Sequence, residues 1–337
     1  MSVYVFICNF ATRFLKIRTM LLDIIFLVAG AVIILWGADR LTDGSSALAR
    51  RLNVSETVIG LTVVAMGSSL PEFSVSLFSS IQGSGGMSAG NIVGSNLFNI
   101  LVITGAVAVV KPISINATTI WKDIPLTILA SLALFFLAND ILLTGQSENI
   151  LTRSDGAVMI LFFLIFLSYT YSLSKNKPQE NNEVKEEMPT WKILVFLLLG
   201  FSCLVGGGEM LVEAGTSLAR TFGISETVIG LTILAGGTSL PEFAASLIAA
   251  RKGSVGMAVG NVVGSCVFNI FFVLGVCSSV NPMQVGDIDI VQYTALVGSG
   301  LLMWIFCHSK RALERWEGGV MCFCYVAFIT YLVLQAI

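Results

Sequence analysis

The sequence predicts an all-α polytopic membrane protein whose ten transmembrane helices form two inverted five-helix repeats. Three observations carry that expectation. First, 55% of the 337 residues are apolar and 12% are charged, about half the charged share of a soluble domain. Mean hydropathy is +0.87, and apolar runs of about 20 residues, enough to cross a hydrocarbon core, recur throughout. Second, three stretches return 170 positions on: Val54–Thr62 as Ile224–Thr232, Gly67–Phe73 as Gly237–Phe243, and Gly90–Ile100 as Gly260–Ile270. A period this long is a duplicated half and not a solenoid unit. Third, the apolar runs fall five on each side of one polar stretch. An odd number of spans per half makes the second copy enter the membrane from the opposite side, with a site at the repeat interface near the midplane.

Taken in order, the first half (20–173) holds spans near 20–42, 54–81, 88–110, 122–142 and 154–173. Residues 174–190, rich in Lys, Glu and Asn, form a linker too short for a domain. The second half (191–337) holds spans near 191–213, 224–250, 256–280, 289–308 and 317–336. Residues 1–19 are an N-terminal extension without the small-residue cleavage pattern of a signal peptide, and Met20, directly before the first good span, is a candidate translation start. Loops after odd-numbered spans carry fourteen Lys and Arg residues, whereas the other side carries Arg153, Arg220 and the three of the extension. The positive-inside rule therefore predicts a cytoplasmic linker and both termini outside.

The heptapeptide Gly67-Ser-Ser-Leu-Pro-Glu-Phe73 breaks the rules for an apolar span, and so does its copy Gly237-Thr-Ser-Leu-Pro-Glu-Phe243. Pro71 and Pro241 lack an amide donor. Glu72 and Glu242 place a carboxylate where insertion scales assign about 2.5–3.5 kcal/mol against a charge. Irregular backbone at membrane depth is tolerated only when buried in protein or lining a cavity. The pair thus reads as two halves of one cation site. Carbonyls near Ala65 and Ser68, the hydroxyls of Ser68 and Ser69, and Glu72 supply one half; Ala235, Thr238, Ser239 and Glu242 supply the other. Asn91, Ser95 and Asn99, with Asn261, Ser265 and Asn269, follow on the adjacent spans. Ser95 and Asn99 share a helix face, as do Ser265 and Asn269. This oxygen set suits a hard cation such as calcium, which takes about 6–8 oxygens, and offers no soft ligand for zinc or copper.

Other polar residues read as structural. Glu56 and Glu226 each follow a serine at a helix start, where acids are favoured. Asp39, Glu209 and His308 stand near span ends, Asn53 marks a turn, and the seven cysteines show no zinc-type or disulfide spacing. No cofactor or nucleic acid is implied.

The two Gly-[Ser/Thr]-Ser-Leu-Pro-Glu motifs, each followed by Gly-Asn-x-Val-Gly-Ser-x-x-Phe-Asn, resemble the alpha repeats of the calcium/cation antiporter family, in particular its prokaryotic sodium/calcium exchanger branch. The resemblance covers nearly the whole chain from about residue 20. It implies exchange of sodium for calcium across a bacterial inner membrane, three for one, by a protein that is not an enzyme. It also implies roles. Glu72 and Glu242, with the carbonyls of Ser68 and Thr238, would bind calcium; Ser69, Ser239, Ala65, Ala235, Ser95 and Ser265 would help form flanking sodium sites; Asn99 and Asn269 would line the centre. Some relatives, potassium-dependent exchangers among them, carry Asp at the position of Asn269, so no potassium requirement is expected here. The alternatives are a proton/calcium antiporter of the same superfamily and a cation channel. An intramembrane acid protease also pairs carboxylates, but the Pro-broken helices and the surrounding hydroxyl and amide oxygens suit ions better.

Overall fold

In hydrocarbon every backbone polar group must be satisfied within the segment, so long apolar runs become helices. The computed structural model describes residues 2–145, 147–175, 188–224, 233, 235–285 and 288–336. Its longer helices are α1 (Ser2–Leu52), α2 (Glu56–Ser68), α3 (Leu70–Ile81), α4 (Gly85–Val110), α5 (Thr119–Leu137), α6 (Arg153–Ser174), α7 (Thr190–Thr221), α8 (Leu240–Arg251), α9 (Val255–Val280), α10 (Ile290–Lys310) and α11 (Arg315–Ala336). Among the described residues eight helices are long and apolar enough to cross a membrane, or nine if the bent pair α2 and α3 is one span. Most of the linker and residues 225–232 and 234 of the seventh expected span lie outside the described residues, as does Glu226.

The first span is longer than expected. The helix runs to Leu52 instead of stopping near 42, and residues 2–19 continue it toward the N-terminus. Asp39, Arg40 and Asp43 end the purely apolar stretch without ending the helix, because Lys252 of the α8–α9 turn meets Asp39 at 2.6 Å and Asp43 at 2.8 Å. Arg50 and Arg51 occupy the last turn, where cations suit the helix dipole. Asn53 then takes the left-handed conformation (φ 54°) and closes the turn. Ser55 caps α2 by accepting from Val58 N, and Glu56 accepts from Ser46 Oγ at 2.7 Å, so both act structurally here.

The helices sort by depth. In α4 and α9, 72% and 83% of the most apolar window is buried, against 17% in α1 and α11. The central pair forms the core, and the outer helices turn Leu21, Val32, Phe323 and Leu334 outward, as a hydrocarbon solvent permits. α9 lies directly on α2: a Cβ on Gly260 would stand 2.6 Å from the Thr57 carbonyl, so only glycine allows this approach. The α3–α4 and α8–α9 turns each use a glycine at positive φ, Gly83 (81°) and Gly253 (91°), 170 positions apart.

The all-α expectation missed two small antiparallel ladders. β1 (Ile113–Ser114) pairs with β4 (Ala312–Leu313), and β2 (Ile150–Leu151) pairs with β3 (Met283–Gln284). Each joins a loop of the first half to a loop of the second.

A buried pair also went unanticipated. Asp123, 1% exposed, accepts from Tyr169 Oη at 2.6 Å and so ties α5 to α6. Removing that donor leaves a buried carboxylate short of a partner, which costs about 1–3 kcal/mol. Tyr169→Phe is expected to lower the thermal unfolding midpoint in detergent without altering ion selectivity.

Candidate cation site

The site begins with two matching breaks in the backbone. Ser69 (φ −84°, ψ 10°) and Ser239 (φ −91°, ψ 6°) leave the helical region in nearly the same way. Each is followed by a helix whose first turn contains proline. Pro71 and Pro241 therefore start helices, where a missing N–H costs nothing. The break bends α2 against α3 by 47°. It also sets Glu72 and Glu242 in the first turns of α3 and α8, where the positive end of the helix dipole favours a carboxylate.

The two halves then cross. Ser69 Oγ, from the first motif, donates to Glu242 Oε1 at 2.7 Å. Ser239 Oγ, from the second, donates to Glu72 Oε1 at 3.0 Å, and Ser95 Oγ reaches the same oxygen at 3.4 Å. Both glutamates are fully buried, and Oε2 of each has no hydrogen-bond partner among the described residues. Ser95 Oγ also lies 3.5 Å from Thr238 Oγ1. Ser265 Oγ donates to the Ala65 carbonyl at 3.4 Å. That carbonyl also receives Ser69 N–H at 3.1 Å and Ser68 Oγ at 3.4 Å, so it is not freed by the break in the simple way the sequence suggests.

Two asparagines brace the glutamate segments. Asn91 Nδ2 donates to the Glu72 carbonyl (3.4 Å) and to Ser76 Oγ (3.0 Å). Asn261 Nδ2 repeats this with the Glu242 carbonyl (3.3 Å) and Ser246 Oγ (2.9 Å). Both are committed to holding backbone. Asn99 and Asn269 differ: each is fully buried, and Asn99 Oδ1, Asn99 Nδ2 and Asn269 Oδ1 are unpartnered among the described residues.

Asn99 and Asn269 lie in π-helical segments, Phe98–Ile103 and Phe268–Leu274. Such bulges widen the helix locally and recur at functional sites. The sequence reading found the glutamates, serines and asparagines but missed the π segments. It also passed over Asn96, a fully buried polar residue of α4. Its signal was visible, since Asn96 and Cys266 are the one polar position at which the two copies of Gly90–Ile100 disagree. Of the expected residues, Glu72, Glu242, Ser69, Ser239, Ser95 and Thr238 are linked by the contacts above, and Ser265 joins through Ala65. Ser68 Oγ has two acceptors for its one proton, the same Ala65 carbonyl at 3.4 Å and Asn261 Oδ1 at 3.2 Å. The side chain of Ala235 lies outside what the structure describes.

Chemically, this is a buried cluster of carboxylate, hydroxyl and amide oxygens with two formal negative charges. Buried carboxylates with unpaired oxygens cost several kcal/mol each unless a cation or proton offsets them.

Comparison with known proteins gives one answer. The family described as sodium/calcium exchanger protein matches residues 22–172 and 192–334. The chain is 40% identical over 324 residues to the putative antiporter CaxA of Alkalimonas amylolytica, covering 93% of this chain and 98% of that protein. It is 35% identical over 284 residues to the inner membrane protein YrbG of Escherichia coli (strain K12), covering 82% and 84%. A solved structure of the sodium-calcium exchanger NCX_Mj superposes with a TM-score of 0.79 at 32% identity, covering 92% of this chain and 99% of that one.

Proposed function

The chain belongs to the sodium/calcium exchanger family of membrane cation antiporters, and from that premise we propose that it exchanges sodium for calcium by alternating access at the crossed glutamate pair. The observation that carries the reading is the reciprocal bonding of Ser69 to Glu242 and Ser239 to Glu72, which leaves one oxygen of each buried carboxylate unpaired among the described residues. Neither half makes such a site alone.

In this reading Glu72 and Glu242, with the Ser68 and Thr238 carbonyls, hold calcium. Ser69, Ser239, Ala65, Ala235, Ser95 and Ser265 contribute to flanking sodium sites, and Asn99 and Asn269 line the centre. One calcium neutralises the two carboxylates, as two sodium ions would. A third sodium makes each cycle move net charge, so transport responds to voltage. With no cargo, two unpaired carboxylates sit in a low-dielectric interior, and crossing in that state is slow. Exchange is therefore favoured over leak.

The architecture proposed is ten spans in two inverted halves, 20–173 and 191–337, with a cytoplasmic linker at 174–190 and both termini outside, in the inner membrane. The strand pairs support the grouping of loops that this architecture requires, and the basic residues choose which group faces the cytoplasm. β1 and β4 join loops both assigned to the cytoplasm, and β2 and β3 join loops both assigned outside. The Lys252–Asp39 ion pair likewise joins the α8–α9 turn to the C-terminal part of α1, both assigned to the cytoplasmic side.

Radiolabelled calcium uptake into proteoliposomes with sodium, potassium or proton gradients imposed in turn tests the proposal. Uptake driven by an outward sodium gradient alone, and enhanced by a membrane potential of the sign that draws the excess charge, is the expected result. Uptake that follows the pH gradient and ignores sodium would transfer the chain to proton/calcium exchange.

A further inference from the structure

Asn96 and Cys266 occupy the same place in the two copies of the Gly-Asn-x-Val-Gly-Ser motif. The difference between them has a structural consequence. Asn96 Nδ2 donates to the Cys266 carbonyl at 3.1 Å, and Asn96 Oδ1 accepts from Asn269 Nδ2 at 3.1 Å. A backbone carbonyl can only accept, so the Asn96 atom beside it must be the amide nitrogen. The Asn96 oxygen is then turned to Asn269. Only the Asn269 nitrogen satisfies it there, so the Asn269 oxygen points the other way, buried and unpartnered among the described residues. An amide orientation that is ordinarily open to reversal is here pinned through two side chains to a peptide carbonyl.

The first half has no equivalent relay. Asn99 corresponds to Asn269, but the residue corresponding to Asn96 is Cys266, which has no amide to offer. Both polar atoms of the Asn99 side chain are unpartnered among the described residues. The two halves thus share ligand types and differ in how firmly one of them is held.

We propose that Asn96 is a positioning residue that sets calcium affinity by holding Asn269 with its carbonyl oxygen, and not its amide NH2, toward the bound cation. The inference rests on the paired-glutamate reading of the site. The reason is electrostatic: a cation is attracted to the amide oxygen and repelled by the partial positive charge of the NH2 group. Releasing the relay lets Asn269 turn, and a ligand becomes at times a repulsive neighbour. Asn99, unpinned, adjusts to whichever cation is bound.

The test is a double-mutant cycle on calcium uptake in proteoliposomes, reading half-saturation and maximal rate separately. Asn96→Cys installs the residue that the second half already carries, and Asn96→Ala repeats the test should the thiol variant fold poorly. Either is expected to raise the calcium half-saturation concentration about three- to tenfold, the range set by one net hydrogen bond. Maximal rate should change little. In an Asn269→Ala background, where no amide remains to be oriented, the same substitution should shift half-saturation by less than about twofold, the limit of additivity. An equal rise in both backgrounds would assign Asn96 to packing and overturn the proposal, as would no rise in either. Absence of sodium-driven calcium uptake in the unmodified protein would instead remove the underlying site reading, so the two failures are distinguishable.

Discussion

Glu72→Gln and Glu242→Gln are each expected to reduce sodium-driven calcium uptake to the level of protein-free vesicles, with the purified variants eluting as the unmodified protein does. The substitution keeps shape and removes charge. Glutamine still offers an oxygen to Ser69 or Ser239, whose hydroxyls now reach the glutamates at 2.7 and 3.0 Å, so the crossed contact between the halves can survive. What is lost is neutralisation. With one carboxylate left, a bound calcium carries an excess positive charge in a fully buried site. Uncompensated buried charge costs about 3–5 kcal/mol, which corresponds to an affinity loss of more than about a hundredfold. The fold does not share that cost, because a neutral amide is easier to bury than a carboxylate with an unpaired oxygen. Thermal stability of the empty variants should equal or exceed that of the parent. Uptake above a tenth of the parent rate in either variant would remove the glutamates from the centre of the site.

Much of the site was legible because the duplication printed it twice. A Pro-Glu pair in an apolar span is anomalous once; its return at Pro241-Glu242 led to the expectation of two paired halves, and the structure hydrogen-bonds the two motifs to each other. The helix count per half groups the loops by side, and the strand pairs join loops of the same group. Other features were hidden for identifiable reasons. The π segments at Phe98 and Phe268 are shifts in backbone register set by packing, with no residue type that announces them. The full length of α1 is not legible from the apolar run: the span expectation ends near 42, with Asp39 close to that end, whereas the helix continues to Leu52 and Asp39 meets Lys252, 213 positions away. Tyr169 and Asp123 join across two helices, and spacing along the chain carries no trace of that meeting. Asn96 was the recoverable miss: where two copies of a motif agree at almost every polar position, the exception marks where the halves do different work.

Acid is expected to block calcium uptake steeply, and calcium should restore it. The cluster holds two carboxylates, and the free oxygen of each has no hydrogen-bond donor among the described residues. A proton offsets the same charge that a cation does and occupies the same oxygens. Protons and calcium are then mutually exclusive, with up to two protons displacing one calcium, so half-saturation should rise by up to about a hundredfold per pH unit once both carboxylates are protonated, through mass action on linked sites. Maximal rate should hold when calcium saturates the site on one face and sodium saturates it on the other, because a site occupied in both halves of the cycle has no free carboxylate to titrate. This pattern separates competition at the site from acid unfolding, which would lower the maximal rate and would not yield to calcium. In Glu72→Asp, if it retains measurable uptake, the block should persist because both carboxylates remain. A block that lowers maximal rate with half-saturation unchanged would place the titrating group outside the glutamate pair.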